Sequence, residues 1–220
     1  MSLSAAIFDL DGTLIDSERV YQASDRAFLA RHGVELTPQE SAEYIGLDSR
    51  EIVRRLIDRH GIDGDADVVL AEKNRMFLDA AEGEVQAFPS ILRLAEFLAD
   101  SDFSLAIATA TPVAIRERMV ELCGLAPLFA VRVSADEVER GKPAPDVYLE
   151  AARRMGALPS DCVVIEDSIY GVAGAKAAGM RVVAVPTHLE SPAFANVDLL
   201  VPGGAEALDP TEVYEWIRNR

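Results

Sequence analysis

Short apolar runs recur along the chain at intervals that leave room for a helix between most of them. The first, Ala5-Ala6-Ile7-Phe8-Asp9-Leu10, is closed by Asp11-Gly12-Thr13 and reads as a buried strand followed by a turn. Similar runs follow at 104–108 (SLAIA), 131–134 (VRVS), 162–165 (CVVI), 181–185 (RVVAV) and 199–201 (LLV). Continuous apolar strands that alternate with helices imply a parallel sheet covered on both faces, because a strand buried on two sides has no polar alternation. The expected fold is therefore α/β, a Rossmann-like doubly wound parallel sheet.

The stretch from residue 16 to about residue 83 breaks this rhythm, with no strand pattern and several helix signals. We read it as an inserted α-helical subdomain over 16–85, with the core formed by 1–15 and 86–220. Thr37-Pro38-Gln39-Glu40 combines an N-cap, a proline at the first helical position and a capping-box glutamate, and Asp48-Ser49-Arg50-Glu51 repeats the box. Gly33, Gly46 and Gly61 are expected helix stops. Thr111 is expected to cap a helix running toward Gly124, and Ser168 one running toward Gly179. The glycines between Gly171 and Gly179 lack dinucleotide-loop spacing and read as small residues that let a helix approach the sheet.

The chain has 220 residues, half of them hydrophobic, with 37 acidic against 21 basic residues and a formal charge of -16. This balance fits a soluble globular protein and argues against nucleic acid or an anionic membrane surface as partner. Cys123 and Cys162 have neither pairing nor metal-ligand spacing and are read as buried thiols, which fits a reducing cytoplasm. The N-terminal apolar run is too short for a signal segment and ends in two aspartates. A monomer is the default expectation.

In open α/β sheets reactive groups gather beyond the carboxyl ends of the strands. Those ends carry Asp9, Asp11, Thr109, Glu166 and Asp167, with Lys142 nearby. Each has a bland alternative: an acidic turn for Asp9 and Asp11, a helix cap for Thr109, a solvated turn or a helix N-terminus for Glu166 and Asp167, a solvated loop lysine for Lys142. An EF-hand loop is a poor fit to the first pair, because Gly12 follows Asp11 directly. Together the residues suit chemistry on a phosphate ester. A carboxylate attacking a phosphate dianion at 4 Å meets about 8 kcal/mol of repulsion at an effective dielectric near 20. A divalent metal and a placed lysine remove that penalty, and the oxygen ligands suit magnesium.

Asp9-Leu10-Asp11-Gly12-Thr13-Leu14, Thr109 after an apolar strand, Gly141-Lys142-Pro143 and Glu166-Asp167-Ser168 occur in an order and at separations that resemble the haloacid dehalogenase superfamily. The resemblance covers nearly the whole chain and points to the phosphatase and β-phosphoglucomutase-like branch with a helical cap. It implies that Asp9 attacks phosphorus to form an aspartyl-phosphate and that Asp11 protonates the leaving oxygen and then helps activate water. It implies magnesium held by Asp9, the Asp11 backbone carbonyl and Asp167, with Glu166 acting directly or through water. Thr109, the Ala110 N–H and Lys142 would hold the phosphoryl group. An acid at Asp11 sets the sequence apart from the dehalogenases, and Tyr21 stands where β-phosphoglucomutases carry histidine. In the cap, Arg50 follows Gly46 in an approximation of the family's substrate-binding pattern, and Lys73 lies near a cap lysine of the same branch.

The expected activity is thus a magnesium-dependent phosphatase acting on a small phosphorylated metabolite. A phosphosugar mutase is one alternative, and a noncatalytic metal- or phosphate-binding protein is another.

Overall fold

The computed structural model describes residues 3–44, 49–186 and 192–220. Six strands form one parallel sheet: β1 (Ala5–Phe8), β4 (Ser104–Thr109), β5 (Val131–Ser134), β6 (Cys162–Glu166), β7 (Arg181–Ala184) and β8 (Leu199–Leu200). The spatial order is β5-β4-β1-β6-β7-β8, with β1 at the centre. Ala5 is level with Ser104 on one side and Cys162 on the other. The remaining strands, β2 (Ile15–Asp16) and β3 (Gln86–Ala87), form a separate antiparallel ribbon.

Successive side chains of a strand point to opposite faces, and the core divides accordingly. Ala6, Phe8, Leu105, Ile107, Val163 and Ile165 face one layer, built with α5 (Pro89–Ala99), α6 (Val113–Leu122) and α9 (Pro210–Arg218). Ala5, Ile7, Ala106, Ala108 and Val164 face the other, built with α7 (Asp146–Met155) and α8 (Ile169–Ala177). Apolar residues on both faces explain why these strands read as unbroken runs.

The first apolar run is longer than its strand. Asp9 gives its N–H to Ile165 O at 3.0 Å, after which Gly12, at φ 75°, turns the chain back. Glycine is required there for a second reason, since a Cβ would overlap the Asp167 carboxylate.

Residues 16–85 contribute α1 (Glu18–Arg31), α2 (Pro38–Glu43), α3 (Ser49–His60) and α4 (Ala66–Ala81). These helices close around Phe28, Leu29, Val53, Leu56 and Val69, a cluster distinct from the two sheet layers. The two connections to the core are the strands of the ribbon, with Ile15 opposite Ala87 and Asp16 opposite Gln86. Two-residue strands carry no periodic signal, so the sequence shows only connections there.

The Thr37 cap is present, its hydroxyl accepting the Glu40 N–H at 3.2 Å, but Glu40 does not close a capping box. Its carboxylate is buried and instead accepts from Tyr44 Oη at 2.5 Å and meets His60 Nε2 at 2.6 Å. Gly33 and Gly61 follow α1 and α3 with positive φ. Gly46 and Asp48 lie outside the described residues. Ser168 caps α8, accepting the Gly171 N–H at 3.0 Å. Thr111 does not cap α6, whose N-cap is Pro112 with no side-chain bond. Cys162 is buried and Cys123 only half-buried, and both are free thiols. Among the described residues no helix is long and apolar enough to cross a membrane.

Candidate active site

The carboxyl ends of β1, β4 and β6 meet the inner face of the helical insertion around a cavity of ≈ 210 Å³. Asp9, Asp11, Thr109, Ala110, Lys142 and Asp167 all line it, although they are scattered over nearly 160 positions of the chain. The central position of β1 between β4 and β6 accounts for this, because it puts three strand ends side by side.

Lys142 is buried rather than solvated. Its Nζ donates to Asp9 Oδ1 at 2.6 Å and to Glu166 Oε2 at 2.8 Å. The Lys142–Pro143 peptide is cis. Glu166 is fully buried and satisfied on every side: Tyr148 Oη also donates to Oε2 at 2.7 Å, while the Ser168 N–H and hydroxyl donate to Oε1 at 2.9 and 2.7 Å. Glu166 therefore lies under the cavity and anchors the lysine that faces it. Gly171 makes room for this arrangement, since a Cβ would overlap the Glu166 carboxylate.

Asp11 is gripped from two directions. Ser17, at the start of α1, donates to Oδ1 at 2.7 Å, and Thr111, beyond β4, donates to Oδ2 at 2.5 Å. Burial raises its pKa above the usual carboxylate value, while the Thr111 and Ser17 hydroxyls oppose that rise. Asp11 can thus hold a proton and also bear the charge once the proton leaves. The Thr109 hydroxyl accepts the Thr111 N–H at 3.0 Å, which leaves its own proton for a ligand oxygen.

The charge balance of the site is one-sided, with four carboxylates, Asp9, Asp11, Glu166 and Asp167, against the single ammonium of Lys142. Burial and the neighbouring Glu166 push Asp9 up to about 8. Burial, Glu166 and Asp9 likewise lift Asp167 well above the carboxylate range, although the Thr13 hydroxyl donates to it at 3.0 Å. Oxygen atoms of Asp9, Glu166 and Asp167 lie within 4.8 Å of one another. A set of hard oxygen donors with uncompensated negative charge fits a magnesium ion.

The sequence reading passed over Ser17, Thr111 as a partner of Asp11, and Tyr148. No local signal marks Tyr148, an apolar-face residue of α7. Thr111 does lie two positions after Thr109, and alternation along an extended segment would have put both on one side. Of the two cations singled out in the insertion, Lys73 is buried and lines the cavity, whereas Arg50 is exposed and is not among its described lining residues.

A family model of haloacid dehalogenase-like hydrolases matches residues 6–185. The chain belongs to that family and is an enzyme of its phosphatase branch. It is 34% identical to hexitol phosphatase A from Escherichia coli (strain K12) over 204 residues, covering 91% of each protein. It is 32% identical to a bifunctional riboflavin kinase/FMN phosphatase from Arabidopsis thaliana, spanning 98% of this chain and 58% of that longer protein. Among solved structures, CbbY from Rhodobacter sphaeroides in complex with phosphate superposes with a TM-score of 0.82 at 29% identity, covering 93% of this chain and 96% of that one.

Proposed function

We propose that the protein is a magnesium-dependent phosphatase of a small phosphorylated metabolite, a sugar phosphate or a similar ester, working through an aspartyl-phosphate on Asp9. The observation that carries this reading is the convergence of Asp9, Asp11, Thr109 and Lys142 on one cavity. The names of the relatives agree with it. The cavity volume, below the 300–1,000 Å³ usual for drug-sized ligands, favours a small ester.

In this mechanism Asp9, with Oδ1 held by Lys142, attacks phosphorus as the bond to the ester oxygen breaks. Asp11 gives its proton to the departing oxygen. The Asp11 carboxylate then takes a proton from water as that water attacks the aspartyl-phosphate, releasing phosphate and restoring Asp9. Thr109, the Ala110 N–H and Lys142 bind the phosphoryl oxygens throughout. Asp9, the Asp11 backbone carbonyl and Asp167 would hold magnesium, with Glu166 behind them, and the ion would offset the negative charge of nucleophile and phosphate.

Tyr21 supports water, rather than a second sugar hydroxyl, as the final acceptor. Its ring stacks on Phe77 at 3.9 Å, and burial holds its phenol well above the ordinary range, so it makes a poor proton relay where a mutase has histidine. We also assign residues 16–85 the role of a cap that closes over the core by flexing at the β2–β3 ribbon, excluding water while the leaving group departs. Lys73 contacts substrate in the closed cavity, and Arg50 would reach it only on closure. The free thiols are consistent with a reducing cytoplasm.

Asp9→Asn should abolish phosphate release from a panel of metabolite monophosphates with magnesium, while circular dichroism shows an intact fold. Phosphate release at the wild-type rate would overturn the mechanism.

A further inference from the structure

Tyr148, on α7, is used by no step of the proposed reaction. It is fully buried and is not among the described residues that line the cavity. It nonetheless touches both members of the ion pair beside Asp9. Its hydroxyl donates to Glu166 Oε2 at 2.7 Å, and the same oxygen accepts from Lys142 Nζ at 2.8 Å. The centre of its ring lies 5.2 Å from Lys142 Nζ, within the range of a cation–π contact. One side chain thus holds the lysine through its ring and the lysine's partner through its hydroxyl.

Donors and acceptors are used up around this contact. A carboxylate oxygen offers two lone pairs, so Oε2, shared by Tyr148 and Lys142, is filled. Oε1 is filled in the same way by the Ser168 N–H and hydroxyl. Glu166 therefore cannot pivot without breaking a buried hydrogen bond. The ammonium has three N–H groups, of which Asp9 Oδ1 and Glu166 Oε2 take two. The third is left for a phosphoryl oxygen, and its direction is set by the other two.

Helix α8 makes room for Tyr148. A Cβ at Gly174 would stand 3.1 Å from Tyr148 Cε2, 3.0 Å from Ala144 O and 3.3 Å from Pro143 O. A side chain there would press on the tyrosine ring and on the loop that carries Lys142. Gly171, three positions earlier and so on the same face of α8, leaves the space that Glu166 fills. The two glycines seat Tyr148 and Glu166 together behind the lysine.

We propose that Tyr148 is a positioning residue of the reaction, which fixes Glu166 and the ammonium of Lys142 so that one N–H stays aimed at the transferred phosphoryl group. Tyr148 acts through Lys142 rather than on the substrate. The role rests on the phosphatase reading and assigns a further residue to the same site.

Tyr148→Phe keeps the ring and deletes the hydroxyl. With p-nitrophenyl phosphate and magnesium it should lower kcat ~10-fold, the effect of losing one hydrogen bond to a charged group, while circular dichroism shows an intact fold. A double-mutant cycle separates positioning from packing. In a Lys142→Met background no ammonium is left to aim, so Tyr148→Phe should change kcat by less than ~2-fold. A second measurement needs neither turnover nor a Lys142 variant that folds. Lys73, Lys142 and Lys176 are the only lysines of the chain, so isotope labelling of lysine side chains gives a simple ammonium spectrum, in which Lys73→Met identifies the Lys142 signal. That signal should be sharp and slowly exchanging in the wild type and broadened in Tyr148→Phe. Wild-type kcat in Tyr148→Phe, an undiminished loss in the Lys142→Met background, or an unchanged Lys142 signal would overturn the positioning role while leaving the phosphatase reading intact. A wild type that releases no phosphate would overturn the phosphatase reading, and the hold of Tyr148 on Lys142 would then stand or fall on the ammonium signal alone.

Discussion

Lys142 and Glu166 form a buried ion pair, Nζ to Oε2 at 2.8 Å, with side chains 6% and 0% exposed. The same ammonium reaches Asp9 at 2.6 Å, so Glu166 aims the cation that in turn aims the proposed nucleophile. The buried Glu166 accepts four hydrogen bonds, from Lys142, Tyr148 and twice from Ser168, and a hydrogen bond to a charged group is worth about 1.5–3 kcal/mol. Glu166→Gln should lower unfolding free energy by about 3 kcal/mol in urea titrations and reduce kcat. Lys142→Met should reduce kcat/KM by roughly 10²–10³-fold, the effect of losing one preorganised donor. Wild-type kinetics in either variant would contradict the arrangement.

Thr111 and Ser17 tune Asp11. Both hydroxyls stabilise its ionised form and hold its pKa below the value burial alone would give. In the proposed mechanism Asp11 is protonated when the leaving group departs, so activity should fall as pH rises through its pKa. Thr111→Val removes one stabilising donor, raises that pKa, and should move the alkaline limb of the kcat profile to higher pH. A limb displaced downward would contradict the role of Asp11 as the acid.

The crowded carboxylates link stability to pH and to metal. Asp9 titrates at about 8 in the fold. The same group has a value near 4 when unfolded, so the folded state binds its proton more tightly. Its contribution is complete below the unfolded value and is lost as pH rises toward about 8. Asp167 works in the same direction. Magnesium, if held by these carboxylates as proposed, would bind their ionised form, so the rise in Tm on its addition should grow from about pH 5 to about pH 8. At a hundredfold excess over Kd the gain is about 2.7 kcal/mol. Thermal melts with and without magnesium check this, and Asp9→Asn should flatten both trends.

Much of the fold was legible because strands buried on both faces carry a composition that no surface element shares. The runs at 131–134 and 162–165 match β5 and β6 to within one residue. The β2–β3 ribbon was not legible, since its strands are two residues long and pair across the whole insertion. The capping signals at Thr37 and Ser168 were right about where α2 and α8 start, whereas others misjudged which bonds form. Glu40 had the spacing of a capping box but was drawn to Tyr44 and His60 by tertiary packing. Thr111 stood at a helix start but was taken up by Asp11.

Residue type and order along the chain sufficed to single out Asp9, Asp11, Thr109, Lys142, Glu166 and Asp167, because strand ends in a parallel sheet must gather on one edge. Each nonetheless kept a bland alternative while the chain was read as a line. Only the tertiary structure buried Lys142 between two carboxylates, put Glu166 beneath the cavity, and brought Asp25 against Lys73 from a helix some fifty residues away. Those outcomes depend on which groups share a low-dielectric space, and that is a property of the packed chain rather than of any segment in it.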